Sequence, residues 1–311
     1  MKKTMRIVLA IFLLVVPVSA QSQETPYTRT ADVIYGRKFG TALTLDVFTP
    51  RKDANGAAII AVVSGGWFSS HEAIDSPFVL PVVQEHVKRG YTVFAVVHGS
   101  QPKFTIPEAI ADMNRAVRFI RLHAKDYAVD PDRFGITGGS AGGHLSLMQG
   151  TAGDAGDPKA KDPVARVSSR VQAVACFFPP TDFLNYGEKG KDAIGRGVLA
   201  NFKAAFDVRE LDPKTKALER TTTEEEKLLE LGRRISPITH VTPDDPPTLI
   251  IHGDADKLVP IQQAESFLAK LKEAGVAAEL VVKKGAAHGW PDLAKDWAII
   301  ADWFDKHLAK K

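Results

Sequence analysis

A serine enclosed by glycines is the first feature of the sequence with chemical potential. Ser140 lies in residues 138–142, GGSAG, which fit the pattern G-x-S-x-G between an apolar run and a helix-forming run. On so sharp a strand-to-helix turn, the residues two positions from the serine must lack a Cβ. A helix that begins at Ala141 presents a free N–H and a positive dipole end to a developing negative oxygen. The pattern predicts a nucleophilic serine, and the alternative is an ordinary flexible glycine loop.

An acid and a histidine follow at suitable places. A serine hydroxyl is a weak nucleophile until an imidazole accepts its proton, and the imidazole needs an acid to hold its tautomer. Asp256 comes after a predicted buried strand, and His288 comes after the last predicted strand. Asp254 lies in the same loop as Asp256 and is the rival acid. The three side chains together favour the nucleophilic interpretation of Ser140.

The elements that must position these residues alternate between strand and helix. Predicted strands cover 31–35, 41–48, 57–63, 91–97, the run before Ser140, 171–178, 249–251 and 279–283; predicted helices cover 77–89, 107–123, 261–274 and 293–308. Continuous apolar strands with crossover helices predict an α/β fold with a doubly wound, mostly parallel sheet of eight strands and helices on both faces. The first two strands are predicted to be antiparallel, because residues 41–48 alternate apolar with polar.

Residues 185–234 interrupt this alternation between the sixth and seventh predicted strands. They are rich in glycine and lysine at first and then charged, and residues 221–234 predict a helix led by glutamates. The insertion is either a lid or cap over the carboxyl edge of the sheet or a solvated surface excursion.

The amino terminus has the features of a secretory signal peptide. Lys2, Lys3 and Arg6 precede an apolar run, and residues 18–20, VSA, fit a cleavage site after Ala20. We therefore predict a secreted or periplasmic protein with a signal peptide over 1–20, a disordered segment over 21–30 and one catalytic domain over 31–311. The apolar run is too short for stable membrane insertion. Removing residues 1–20 lowers the net charge from +3 to zero, which argues against a nucleic-acid partner.

Other reactive residue types have simpler interpretations. Cys176, the single cysteine, lies in an apolar run and is interpreted as a small buried hydrophobe. His71 with Glu72 and Asp75 are too close in sequence for a convincing closed metal site, so no metal and no cofactor are predicted. His144 and His252 are interpreted as structural, whereas structural and binding roles are both open for His98.

The sequence resembles α/β-hydrolases of the secreted esterase type, near the acetylesterase, feruloyl-esterase and hormone-sensitive-lipase-like groups. The resemblance extends over about residues 31–308. It implies that Ser140 is the nucleophile and His288 the general base. The family pattern His-Gly-x-x-Asp-x-x-Val-Pro, present over residues 252–260, implies that Asp256 is the acid.

The oxyanion loop departs from this resemblance. Many relatives carry His-Gly-Gly-Gly-Trp after the third strand, whereas residues 63–67 here are VSGGW. Gly65, Gly66 and Ala141 are still expected to donate their backbone N–H groups to an oxyanion. Without the histidine the loop needs another support, for which Ser64 is a candidate. Trp67 and Trp290 flank the expected site and either line a substrate pocket or belong to the core.

The resemblance predicts a serine carboxylic-ester hydrolase that forms an acyl-enzyme and needs no metal. The expected substrates are small-molecule or carbohydrate esters, such as acetylated or feruloylated polysaccharide. Two alternatives are a serine peptidase on the same fold and a binding protein that has kept the fold without catalysis.

Overall fold

The structure, a computed structural model, describes residues 25–207, 209–220 and 225–310. The predicted signal peptide over 1–20 lies outside these residues. The disorder predicted over 21–30 is wrong from Tyr27 onward, because the first strand begins there and its residues 27–30 pair with residues 47–50 of the second strand. A partner distant in sequence supplies the backbone hydrogen bonds that this polar segment cannot make by itself.

An eight-stranded sheet forms the centre of the fold. Its strands are β1 (Tyr27–Lys38), β2 (Thr41–Pro50), β3 (Ala58–Val63), β4 (Thr92–Val97), β5 (Phe134–Gly139), β6 (Ala173–Phe177), β9 (Thr248–Gly253) and β10 (Ala278–Lys283). The order is β1-β2-β4-β3-β5-β6-β9-β10. The β1–β2 and β2–β4 pairs are antiparallel and the others are parallel, so the predicted mostly parallel eight-stranded sheet is confirmed.

Helices cover both faces of this sheet, as predicted. They are α1 (Leu80–Lys88), α2 (Ile106–Leu122), α3 (Ala141–Ala152), α4 (Glu225–Ile235), α5 (Gln262–Glu273) and α6 (Trp297–His307). Helices α2, α3 and α5 contribute to one hydrophobic cluster, and α1 and α6 contribute to the other. All six residues of β3 are buried, and alternate residues point into the two clusters. This burial on both faces explains why the central strands are continuous apolar runs.

The sheet brings the candidate residues to one edge. Ser140 follows β5 directly, Asp256 lies in the loop after β9, and His288 lies in the loop after β10. Since parallel strands end at the same edge of a sheet, these three loops lie near each other. The first oxyanion-loop residue, Ser64, follows β3 at the same edge.

The chain between β6 and β9 carries the irregular elements. It holds a 3-10 helix over Gly197–Phe206, a two-stranded hairpin of β7 (Arg209–Leu211) and β8 (Leu218–Arg220), and α4. Residues 221–224 of the predicted helix lie outside the described residues. Leu199, Ala205 and Phe206 are buried in the core, so the 3-10 helix is not a solvated excursion. A mobile lid stays a prediction.

The structure also bears on Cys176 and on the possibility of a membrane-spanning helix. Cys176 is fully buried in β6, where burial raises the pKa of its thiol well above the usual range, in keeping with a small hydrophobe. None of the helices within the described ranges is both long and apolar enough to cross a membrane.

Candidate active site

Ser140 occupies a strained turn. Its φ of 54° and ψ of −119° lie outside the regions that non-glycine residues normally adopt. A Cβ on Gly138 would lie 2.6 Å from the carbonyl carbon of Gly142, and a Cβ on Gly142 would lie 3.0 Å from the Val62 oxygen. Gly138 therefore requires glycine, and Gly142 leaves little room for a Cβ. The Ser140 N–H donates to the Phe177 oxygen at 3.0 Å, which attaches the turn to β6.

His288 joins Ser140 to Asp256. Its Nε2 lies 2.9 Å from Ser140 Oγ, and its Nδ1 lies 2.6 Å from Asp256 Oδ2. An ionised carboxylate can only accept, so Nδ1 carries the proton and Nε2 is free to accept from the serine hydroxyl. The Phe178 ring packs on the imidazole with 4.4 Å between ring centroids. The three side chains thus have the geometry of an activated nucleophile.

Asp256 is buried but well supplied with donors. Its Oδ1 accepts from the backbone N–H groups of Leu258 and Val259, both at 2.9 Å. Burial by itself would raise the pKa of Asp256, but hydrogen bonds from His252, His288 and Val259 outweigh it and hold the pKa well below its usual range. The carboxylate therefore stays ionised at neutral pH.

The rival acid lies elsewhere. Asp254 is exposed and its Oδ1 accepts from the Gly285 N–H at 2.5 Å, so it braces the loop rather than contacting His288. His252 is buried beneath the same loop, where its Nε2 lies 2.8 Å from the Val259 oxygen. The geometry favours Asp256 over Asp254.

The oxyanion loop forms a tight turn. The Gly65 N–H donates to the Phe68 oxygen at 3.0 Å, and the Phe68 N–H donates back to the Gly65 oxygen at 2.9 Å. Gly66 and Trp67 between them both have positive φ, 55° and 60°. The Gly65 N–H, which was predicted to donate to an oxyanion, is already hydrogen-bonded within the turn. The N–H groups of Gly66 and Ala141 have no acceptor among the described residues and stay available.

Trp67 does not line a substrate pocket, so that half of the prediction for the two tryptophans is wrong. Its side chain is 3% exposed and packs against Phe183, Phe202 and Phe206. The indole Nε1–H donates to His144 Nδ1 at 3.2 Å. The positive φ of Trp67 turns its side chain into the core, and a sequence pattern does not reveal such a backbone conformation.

A cavity of about 680 Å³ opens beside Ser140 and His288. Trp290 lies in its wall, and its Nε1–H donates to Asp296 Oδ2 at 2.7 Å. Among the lining residues, His288 alone carries an ionisable side chain. Sequence reasoning missed the other apolar wall residues, which come from five separate segments without a shared motif: Pro77, Phe78, Phe178, Phe202, Leu258, Pro291, Leu293 and Ala294.

A group of possible metal ligands lies outside this cavity. Asp32, Asp46 and His71 place one ligand atom each within 4.8 Å of one another, and Glu72 and Asp75, the sequence neighbours of His71 that were considered above, are not in this group. Asp46 Oδ2 already accepts from Arg29 Nε at 2.6 Å. The guanidinium therefore balances the negative charge of this buried carboxylate.

Residues 45–271 match the model of the family described as BD-FAE. The chain belongs to the BD-FAE family. The BD-FAE assignment and the sheet topology confirm the predicted resemblance to α/β-hydrolases.

Similar proteins have ester hydrolase names. The probable carboxylic ester hydrolase LipM of Mycobacterium tuberculosis is 29% identical over 79% of this chain and 52% of its own length. Esterase LipQ of the same organism is 28% identical over 86% of this chain and 58% of its own. The chain therefore spans between about half and three fifths of these relatives. Among solved structures, a truncated carbohydrate esterase from gut microbiota matches with a TM-score of 0.72 and 26% identity, over 93% of this chain and 99% of that one.

Proposed function

We propose that this BD-FAE family member is a serine carboxylic-ester hydrolase that works through an acyl-enzyme. The observation that carries the proposal is the line from Ser140 Oγ through His288 to Asp256, with distances of 2.9 and 2.6 Å. The names of LipM and LipQ support the reaction class.

Acylation begins with attack of Ser140 Oγ on the ester carbonyl carbon while its proton moves to His288 Nε2. The N–H groups of Gly66 and Ala141 donate hydrogen bonds to the negative oxygen of the tetrahedral intermediate. When the intermediate collapses, the ester C–O bond breaks and the alcohol leaves with the proton from His288. Asp256 stays ionised, because its pKa is held low, and stabilises the imidazolium.

Deacylation repeats these steps with water. His288 Nε2 accepts a proton from the water, and the hydroxide attacks the acyl carbonyl. Collapse of the second intermediate releases the acid and returns the proton to Ser140. No group beyond these residues and water is needed to balance the reaction.

The lining of the cavity favours an ester substrate that carries an uncharged group next to the ester bond. Its walls are apolar and aromatic, with Phe78, Phe178, Phe202 and Trp290 among them. Such walls suit an acyl group, and an aryl acyl group such as feruloyl can pack on these rings. The proposal therefore retains acetylated or feruloylated carbohydrate as the substrate class, with export directed by residues 1–20. The gut carbohydrate esterase supports this substrate class.

Ser140→Ala tests the reaction. We expect the mature protein to hydrolyse p-nitrophenyl acetate and butyrate and to react with a fluorophosphonate probe, and the variant to lose at least about 1,000-fold in kcat/KM and all labelling. Thermal unfolding of both proteins controls for folding. Retained activity in the folded variant would contradict the proposal.

The same assays separate the alternatives. Faster release of p-nitroaniline from aminoacyl amides than of p-nitrophenol from esters would indicate a peptidase. A mature protein that the probe does not label would indicate a binding protein. A comparison of methyl ferulate with acetylated xylan and p-nitrophenyl butyrate tests the substrate class.

A further inference from the structure

The oxyanion loop, residues 64–67, cannot hold its conformation by itself. Trp67 has a φ of 60° without being a glycine, and a residue in this region costs about 1–3 kcal/mol unless its surroundings impose it. Gly65 and Gly66 add flexibility. Val63, the last residue of β3, has an apolar side chain that cannot hydrogen-bond to the loop. Contacts from elsewhere must therefore hold the turn.

His98, which directly follows β4, supplies one such contact. It is 2% exposed, and its Nε2 lies 2.8 Å from Ser64 Oγ while its Nδ1 lies 2.9 Å from the Gly99 oxygen. A carbonyl oxygen can only accept, so Nδ1 carries the proton and Nε2 is an acceptor. The Ser64 hydroxyl therefore donates to the imidazole, and the first residue of the loop is attached to the end of β4.

This direction of donation requires a neutral imidazole. Burial, together with the nearby charge of Lys38, lowers the pKa of His98 to about 4. At neutral pH Nε2 thus keeps the lone pair that Ser64 needs. His98 is absent from the wall of the catalytic cavity, whereas Ser64 is part of that wall.

The side chain of Ser69 adds a second attachment between the same two segments. Ser69 Oγ donates to the Val63 oxygen at 2.6 Å and accepts from the His98 N–H at 3.2 Å. Ser64 at the start of the loop is thereby attached to the His98 ring, and Ser69 beyond its end is attached to the His98 backbone N–H.

The far side of the turn is held by Gln101. Its Nε2 donates to the Gly66 oxygen at 2.5 Å, and its backbone N–H donates to the Trp67 oxygen at 3.2 Å. Because a trans peptide is planar, holding a carbonyl oxygen also fixes the N–H on the opposite side of that peptide. The Gly65 oxygen, held by the Phe68 N–H, in this way directs the Gly66 N–H away from the turn.

We infer that His98 is a positioning residue for the oxyanion loop, and that it acts through the Ser64 hydroxyl to hold the Gly66 N–H in place. The inference rests on the proposed ester hydrolysis and deepens it. His98 takes no proton from the substrate, since both ring nitrogens are committed to Ser64 and Gly99. Its effect is confined to the steps in which negative charge develops on the carbonyl oxygen.

Ser64→Ala removes the hydroxyl and leaves the rest of the loop intact. We expect kcat on p-nitrophenyl butyrate to fall about three- to tenfold, with KM within twofold of its original value. The variant loses the ordinary hydrogen bond from Ser64 to His98, and with it part of the positioning of the Gly66 N–H that stabilises the transition state. Affinity for a boronic acid inhibitor, which forms a tetrahedral adduct on the serine, should fall by the same factor. A merely structural role would lower stability without this matched change.

His98 variants test whether the two residues act as a unit. His98→Phe should reduce kcat as much as Ser64→Ala, and the double variant should lose little more. His98→Gln should retain more activity than His98→Phe, because its amide can accept from Ser64 and donate to Gly99. If His98→Phe does not fold, Ser64→Ala and His98→Gln decide the question.

Matched controls are available outside the site. Ser169→Ala removes another buried hydroxyl, which accepts from the Asp154 N–H, and His86→Phe replaces another buried histidine, on α1. Both should leave kcat unchanged, whatever their effect on stability. Unchanged kcat and boronate affinity in Ser64→Ala would overturn the inference, as would losses that multiply in the double variant. Failure of the proposed function is distinguishable, since the unmodified protein would then hydrolyse no ester.

Discussion

The two sides of Ser140 are built in different ways. On the acid side, the roles that we propose for Asp256 and His288 belong to their own side chains, and the Asp256 carboxylate is held by neighbours within its loop, the N–H groups of Leu258 and Val259. On the oxyanion side the proposed donors are backbone N–H groups. Their orientation depends on His98, Gln101 and His144, which belong to other segments.

Because of this difference, the acid side can be predicted from the sequence more readily than the oxyanion side. A side chain that carries out proton transfer must be of a certain type, so residue types reveal it. A backbone donor places no demand on the residue that carries it, and only the turn and its remote supports determine where it points. Substitutions near Asp256 should therefore act sharply and individually, whereas those around the oxyanion loop should act weakly and together.

Asp256→Asn gives the largest expected effect. An amide carries no negative charge, so it neither stabilises the imidazolium nor holds the His288 Nδ1–H tautomer as the carboxylate does. We therefore expect kcat to fall by about 1,000- to 10,000-fold in an ester assay. Asp254→Asn, two residues away, should stay within about threefold, because Asp254 contacts Gly285 and not His288. Equal losses in the two variants would show that Asp256 is not the only acid on which the reaction depends.

Acid pH should act on the oxyanion side through stability. Burial lowers the pKa of both His98 and His144 to about 4, against about 6.5 when unfolded. Between these values the unfolded chain binds more protons, so the free energy of unfolding should fall as pH falls from about 6.5 to 4 and should not depend on these residues above that range.

The expected slope is up to about 1.4 kcal/mol per pH unit for each histidine, or a tenfold change in the unfolding equilibrium constant. Denaturant titrations between pH 4 and 8 measure it. His144→Gln should reduce the slope, and His240→Gln, at a half-buried histidine bound to the Arg234 oxygen, is the control. An unchanged slope in His144→Gln would contradict a neutral imidazole at that position.

Substitutions of the two tryptophans should give the smallest effects, and these effects should differ in kind. Trp67→Phe removes the donor to His144, which should lower the free energy of unfolding by about 1–2 kcal/mol and kcat by a few-fold. Trp290→Phe should instead change KM by a factor that depends on the size of the substrate's acyl group, because Trp290 lines the cavity. Steady-state kinetics on a series of p-nitrophenyl esters, with thermal unfolding, distinguishes the two. A change of acyl preference in Trp67→Phe would contradict its position in the core.

The fold was largely predictable from local patterns. The continuous apolar strands and the amphipathic helices were visible because burial on both faces or on one stripe dictates residue type. The predicted disorder of residues 27–30 was wrong, because strand pairing with β2 is a long-range contact. Ser140, Asp256 and His288, which the structure brings together, could be proposed from the sequence for a similar reason, since their chemistry restricts the residue type and the sheet restricts their order.

The oxyanion side shows what local patterns leave out. Gly65 was expected to donate, yet the turn to Phe68 uses its N–H. Trp67 was a candidate for the pocket, yet a φ of 60° turns it into the core. Both outcomes depend on backbone dihedral angles, which two glycines leave free and the tertiary contacts settle.

Residue patterns alone were enough to predict the fold class, the serine turn and a candidate acid, base and nucleophile, because burial and proton transfer both restrict the type of side chain. Only the tertiary structure decided that Asp256 rather than Asp254 meets His288, which aromatic residues line the cavity, and how a loop without its usual histidine is supported by His98. Those decisions rest on distances and backbone orientation between segments far apart in the chain, which no local pattern encodes.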